Sequence, residues 1–316
     1  MWQASKPELW TGRDDSRESD KAKRVFQTLD VANTWQPELS RNKIALLGFA
    51  SDAGVARNMG RTGAASGPPA LRKALANMAS HASAYSLVDL GDIAYAGDDL
   101  EAGQAEFAQA VVDIHAARGK TLVLGGGHET AFAHGSGLFQ AYPQQHIAII
   151  NFDPHLDLRR HPTPTSGTPF AQLAALAAAQ HRVFDYTCIG VSRAANTAQL
   201  LEDAEEFDVN IVWDTEVNWG NVQYVNTTIA RAMARADVVY LTVDLDVLPG
   251  HQMPAVSAPA AMGIPLDLLM HVTGPILRSE KLVGADVAEF SPPLDINGQG
   301  ARAAARMLWH MWQSWY

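Results

Sequence analysis

The stretch HIAIINFDPHLDLRR (146–160) changes within a few residues from an unbroken apolar run to the pattern Asp-x-His-x-Asp. A run of that length, apolar at every position, has the composition of a strand buried on both faces, as in a parallel sheet. In extended chain, residues two apart point the same way, so Asp153, His155 and Asp157 can present their side chains to one small volume. Open α/β sheets bind their ligands at the carboxyl ends of the strands, which is where these three residues stand.

Seven further runs have the same form: KIALLGF (43–49), YSLVDLGDI (85–93), TLVLGG (121–126), VFDYTCIG (183–190), VNIVW (209–213), VVYLTVDLD (238–246) and LVGADVAEF (282–290). Between them lie alanine-rich or amphipathic stretches of helical period, such as LEAGQAEFAQAVVDIHAARG (100–119), FAQLAALAAAQ (170–180) and the terminal ARAAARMLWHMWQSW (301–315). Alternation of strand and helix predicts an α/β fold: a single-domain three-layer α/β/α architecture over 1–316 with a mainly parallel, doubly wound sheet of about eight strands. Residues 1–40 read as an N-terminal extension with one helix at most. The Gly/Pro-rich segment GVARNMGRTGAASGPP (54–69) reads as a long functional loop ahead of a helix.

Bulk properties narrow the partners. A formal net charge of −10 opposes nonspecific binding to nucleic acid or an anionic membrane, and no segment approaches the ~20 apolar residues of a membrane span. The single cysteine, Cys188, excludes an intrachain disulfide and a thiolate metal cage. These features predict a cytoplasmic protein with a small-molecule partner.

The polar residues at the strand ends carry the chemistry. TLVLGGG leads to His128, AIINF to Asp153, His155 and Asp157, VVYLTV to Asp244 and Asp246, and LVGADVA to Glu289. Buried carboxylates need a counter-charge, and the three metal-type motifs hold no lysine or arginine except Arg159 and Arg160 at the tail of one. Two divalent cations would balance the four aspartates. Oxygen-rich ligation with two imidazoles and no sulfur favours a hard or borderline ion such as Mn²⁺ over structural Zn²⁺. Two such ions about 3.5–4 Å apart can activate a shared water near neutral pH.

In order and spacing, over residues 40–316, these motifs resemble the ureohydrolase family, which includes arginase, agmatinase and formimidoylglutamase. The resemblance implies an arginase-type fold and two Mn²⁺ ions per subunit. His128, Asp153, Asp157 and Asp244 would hold one ion, and His155, Asp153, Asp244 and Asp246 the other. Glu289, in DVAEF, matches the family's acid that faces the substrate's amidine or guanidinium, and a homo-oligomer is expected. Two departures stand out: Gly127 where the family's Gly-Gly-Asp-His has aspartate, and Ser166 where its His-Gly-Thr-Pro-Phe has a proton-shuttling histidine.

Those departures, with GRDD (12–15), the loop RNMGRTGAASGPPALR and VSAPAAMG (256–263), look like the formimidoylglutamase branch. Resemblance to that branch implies hydrolysis of N-formimidoyl-L-glutamate to L-glutamate and formamide in histidine degradation. Such a substrate joins a cationic amidine to two carboxylates, and a guanidinium grips a carboxylate through two parallel hydrogen bonds. Arg159, Arg57, Arg61 and Arg193 are the candidate carboxylate ligands, with Asn196 as a neutral donor. Asp157 is the expected proton carrier, and Ser166 or His161 the substitute for the shuttle histidine. The rival readings are a ureohydrolase acting on agmatine or a guanidino acid, and a noncatalytic metal-binding relative.

Overall fold

Every one of the eight apolar runs is a strand in the computed structural model, which describes residues 1–19, 21–95 and 99–316. In chain order the strands are β1 (Trp2–Gln3), β2 (Asp30–Val31), β3 (Ile44–Ala50), β4 (Leu87–Ala94), β5 (Lys120–Leu124), β6 (Ile147–Phe152), β7 (Asp185–Val191), β8 (Asn210–Trp213), β9 (Val238–Asp244) and β10 (Leu282–Ala288). The helices are α1 (Ala53–Arg57), α2 (Gly67–Ala76), α3 (Leu100–Ala116), α4 (Thr130–Ala141), α5 (Pro169–Ala179), α6 (Ala198–Glu206), α7 (Val222–Arg235), α8 (Leu266–Leu277) and α9 (Gln299–Ser314). The sheet order is β1-β4-β3-β5-β10-β9-β6-β7-β8, with β2 also on β4. All pairings are parallel except that of β1, which runs antiparallel along β4 at the edge.

Strand alternation divides the core. Ile44 and Leu46 face one way with the apolar sides of α2, α7, α8 and α9, whereas Ala45, Leu47 and Phe49 face the other way with α3, α4, α5 and α6. Both faces of the sheet are therefore covered, and the strands have no polar side to show. This is the three-layer arrangement that the alternation of elements predicts.

The N-terminal extension departs from expectation. Among its described residues there is no α-helix, only short 3₁₀ turns at Pro7–Leu9, Val25–Gln27 and Pro37–Ser40. Proline opens two of them, and the charged sequence has no apolar stripe that a longer helix could bury. Its two-residue strands bring the sheet to ten, because pairings so short carry no readable period. The segment 54–69 is likewise not wholly loop, since it holds most of α1 and a 3₁₀ turn at Ala64–Ser66.

One ion pair fastens the extension and α2 to the sheet. Arg72, fully buried on α2, donates to both carboxylate oxygens of Asp89 on β4 at 2.9 Å, and to Asp92 at 2.6 Å. Trp10 donates its indole N–H to the same Asp89 carboxylate at 2.7 Å.

Candidate metal centre

Four adjacent strands at the middle of the sheet, β5, β10, β9 and β6, end on the same side and carry the ligand-type residues. His128 follows β5, Glu289 follows β10, Asp244 ends β9 with Asp246 in the turn beyond, and Asp153, His155 and Asp157 follow β6. The six metal-type residues predicted from the sequence converge there. His128, Asp153, Asp157 and Asp244 form one group, and Asp153, His155 and Asp246 a second that shares Asp153.

The geometry is that of a cradle for positive charge. Nδ1 of His128 lies 3.1 Å from Asp153, 3.0 Å from Asp157 and 3.3 Å from Asp244, so three carboxylate oxygens converge on one nitrogen. His155 Nδ1 stands 3.4 Å from Asp153 and 3.3 Å from Asp246. One N–H can satisfy only one of three such acceptors, and a buried Oδ1 of Asp246 has no hydrogen-bond partner among the described residues. Burial, then the neighbouring Asp246 and Asp153, push the Asp244 carboxyl well above the usual range. Burial would also raise Asp153, but hydrogen bonds from His128 and His155 hold it down to about 2. Burial alone would lower both imidazoles, yet the surrounding carboxylates hold them well above their ordinary value. Positive charge is what this volume lacks, and a set of carboxylates with two imidazoles and no thiolate suits hard or borderline divalent ions. The residues therefore fit the metal pair that their pattern implies.

Further residues orient the ligands. Asn151 donates to Asp153 at 3.1 Å, the Asp244 carboxylate accepts the Asp246 N–H at 2.9 Å, and Asp153 accepts the His155 N–H at 2.6 Å. Glu289 accepts the backbone N–H of His128 at 2.8 Å. Burial, followed by the proximity of Glu129 and Asp246, pushes its carboxyl up to about 8. Asp157 (φ 49°) and Glu289 (φ 70°) both occupy the left-handed region that non-glycine residues seldom adopt, a distortion typical of functional positions.

The cluster opens into a pocket of about 400 Å³ lined also by Asn58, Arg61, Arg159, Ser166, Asn196 and Glu289. Two of the four candidate arginines are therefore at the pocket. Arg61 is steadied by Ser257 O (2.9 Å) and Val256 O (2.7 Å), both main-chain carbonyls. The acids of α6, Asp203 and Glu206, are taken by Arg160, which leaves the Arg159 guanidinium without a carboxylate among the described residues. Arg57 instead pairs with Glu101 at 3.1 Å and lines a different cavity, while Arg193 stacks on the Trp213 ring at 3.8 Å and lies outside the pocket lining.

Asn196 lines the wall but commits its amide to Leu156 N–H, Pro154 O and Ser192 O, so it builds the wall rather than offering a free donor. Ser166 is buried at the pocket and accepts from Asn58 at 3.2 Å. His161 is exposed, bonded to Thr163 and absent from the lining. Asn58 and Ser257 escape sequence reading because nothing in a loop's local pattern says which strand end it will cover.

The sequence profile of the arginase family matches residues 42–313. The chain is 49% identical over 316 residues to a formimidoylglutamase of Photorhabdus laumondii, covering 100% of this chain and 99% of the relative. It is 52% identical over 315 residues to a formimidoylglutamase of Klebsiella pneumoniae, at the same coverage. Among solved structures, the Bacillus subtilis formimidoylglutamase superposes with a TM-score of 0.83 at 22% identity, covering 96% of this chain and 93% of that one. Trypanosoma cruzi formiminoglutamase, solved with Mn²⁺, gives 0.80 at 24% identity, covering 93% and 98%. With profile, relatives and fold in accord over nearly the whole length, the chain belongs to the arginase family.

Proposed function

We propose that this chain is a dinuclear manganese hydrolase that converts N-formimidoyl-L-glutamate and water to L-glutamate and formamide. The observation that carries the reading is the polarity of one pocket. It is lined by Glu289, which forms no ion pair with a lysine or arginine among the described residues, and by the guanidinium groups of Arg61 and Arg159. A substrate with a cationic amidine at one end and two carboxylates at the other matches that lining. Agmatine has no carboxylate and would gain nothing from the arginines. Identity of about half over the full length with formimidoylglutamases supports the same substrate.

In this reading His128, Asp153, Asp157 and Asp244 hold one Mn²⁺, and His155, Asp153, Asp244 and Asp246 hold the other. Bound metal supplies Lewis acidity and makes water a competent nucleophile near neutral pH. The protein's own residues do the rest. Glu289 pairs with the amidinium and fixes the formimidoyl carbon. Arg159 and Arg61 bind the carboxylates, so that the distant end of the substrate orients the reacting end. As water adds to the formimidoyl carbon, Asp157 takes up its proton and passes it to the glutamate nitrogen while the C–N bond to that nitrogen breaks. Formamide keeps the other nitrogen and the water oxygen, the second proton of that water goes to the departing nitrogen as the carbonyl forms, and glutamate leaves with its amine as the ammonium, which carries the charge that the amidinium brought. Ser166, at the pocket wall, holds the departing amine through its hydroxyl. The enzyme works in the cytoplasm as a homo-oligomer on a small amidine, without nucleic acid or membrane as partners.

The test is to supply Mn²⁺ and assay formimidoylglutamate, agmatine, arginine and guanidinobutyrate in parallel, following glutamate, formamide, ammonia and urea. Formamide and glutamate from the first alone are expected. Urea from any other substrate would overturn the assignment.

A further inference from the structure

Glu129 follows His128 directly and is completely buried, yet it belongs neither to the metal cradle nor to the pocket lining. Its Oε1 accepts the backbone N–H of Gly54 at 2.9 Å and the Ser51 hydroxyl at 3.3 Å, while its Oε2 is buried without a hydrogen-bond partner among the described residues. The backbone reinforces this junction, because Gly127 N–H donates to Ser51 O at 2.9 Å.

The surrounding glycines are shaped around that carboxylate. A Cβ on Gly127 would stand 2.1 Å from Glu129 Oε2 and 2.5 Å from the Val55 side chain, and one on Gly54 would stand 2.5 Å from the same oxygen and 2.8 Å from Ser166 N. Neither glycine has positive φ, so space and not backbone conformation demands them. Position 127 is where the family pattern carries an aspartate. Here the acidic side chain comes from 129 and occupies the volume that a side chain at 127 would need.

What Glu129 holds is the first turn of α1. The residues that leave that helix, Asn58 to Arg61, form one wall of the pocket, and Asn58 donates in turn to Ser166 on the opposite loop. We propose that Glu129 is a positioning residue for substrate recognition, tying the start of α1 to the turn that bears His128 and thereby setting where the Asn58–Arg61 wall, with the Arg61 guanidinium, stands at the carboxylate end of the substrate. This inference rests on the reading of that wall as the seat of a carboxylate-bearing amidine.

Glu129→Ala removes the acceptor for Gly54 N–H. In the Mn²⁺-loaded full chain it should raise KM for formimidoylglutamate at least tenfold, with kcat within about threefold and metal content per chain unchanged. Glu129→Gln, which keeps the acceptor and the shape, should restore KM to within about threefold of wild type. A small N-alkylformamidine without carboxylates should show no KM change in either variant. Should Glu129→Ala not fold, Gly54→Ala presses on the same contact from the other side and should raise KM in the same selective way. An unchanged KM in Glu129→Ala, or in Gly54→Ala where that variant stands in, would overturn the proposal. So would a loss of metal with KM intact, or damage by Gln as large as by Ala. Wild-type protein inactive on formimidoylglutamate would instead strike the substrate reading itself.

Discussion

His128 Nε2 lies 3.0 Å from the hydroxyl of Thr242 on β9, while the Nδ1 of the same ring faces three carboxylates. A neutral imidazole that donates from Nε2 to Thr242 must present a lone pair at Nδ1, which is the form a metal requires. Thr242→Val should therefore weaken metal binding by about 10–100-fold without altering the fold, since outer partners of ligating histidines have effects of that order. Competition with a fluorescent chelator would measure it, and Thr242→Ser should restore most of the affinity. Equal affinity in the Val variant would show that Thr242 does not set the ring.

Arg159→Met removes the one pocket guanidinium that has neither a carboxylate nor a carbonyl holding it among the described residues. A charge-assisted hydrogen bond contributes about 1.5–3 kcal/mol, or roughly 10–100-fold in KM for formimidoylglutamate. The small N-alkylformamidine should be hydrolysed as before. Steady-state kinetics on both substrates decides it, and a loss on both would argue that Arg159 supports the site itself and not the carboxylate end.

The Arg72–Asp89 pair governs stability in acid. Burial opposes ionisation of Asp89, but Arg72 outweighs it and holds the carboxyl below the usual range. The unfolded chain then binds the proton more readily, so the contribution is complete above about pH 4, the ordinary carboxylate value, and is lost as pH falls below it. Asp89→Asn leaves the buried Arg72 with Asp92 as its remaining carboxylate and should cost about 1–3 kcal/mol in urea unfolding, with a flatter acid limb.

His115 titrates in a different window. Burial, helped by the nearby His134 and Lys120, lowers its imidazole to about 3, so the folded protein keeps it neutral where the unfolded chain would protonate it. Its contribution is present above about pH 6.5 and disappears as pH falls toward 3. Unfolding free energies of wild type and His115→Gln, compared at fixed metal content from pH 7 to 4, should converge as the pH drops.

The fold and the metal cradle were legible for one physical reason: their information is local. A strand buried on both faces announces itself by composition, and the motif that follows it alternates with a period of two in the sequence, so Asp153, His155 and Asp157 can be read together, although the chain turns after Phe152 and Asp157 is left-handed and not extended. The pocket wall has no such period. Arg57 and Arg193 are as basic as Arg159, but Glu101 and the Trp213 ring engage them, and those partners are fixed only by tertiary packing. Glu129 was hidden for the same reason, since its hydrogen-bonded glycine lies 75 positions away. The N-terminal pairings on β4 were too short to show any pattern.

The left-handed backbone at Asp157 and Glu289 sets folding and activity against each other. Glycine at either position would escape a steric penalty of about 1–2 kcal/mol, and neither carboxylate is needed to bury the apolar core. A library selected for thermal tolerance alone, with no demand for turnover, would therefore drift toward glycine at these two positions and discard early the two carboxylates that we propose as proton carrier and amidinium partner. Stabilising this enzyme for use means freezing those residues first and seeking gains elsewhere.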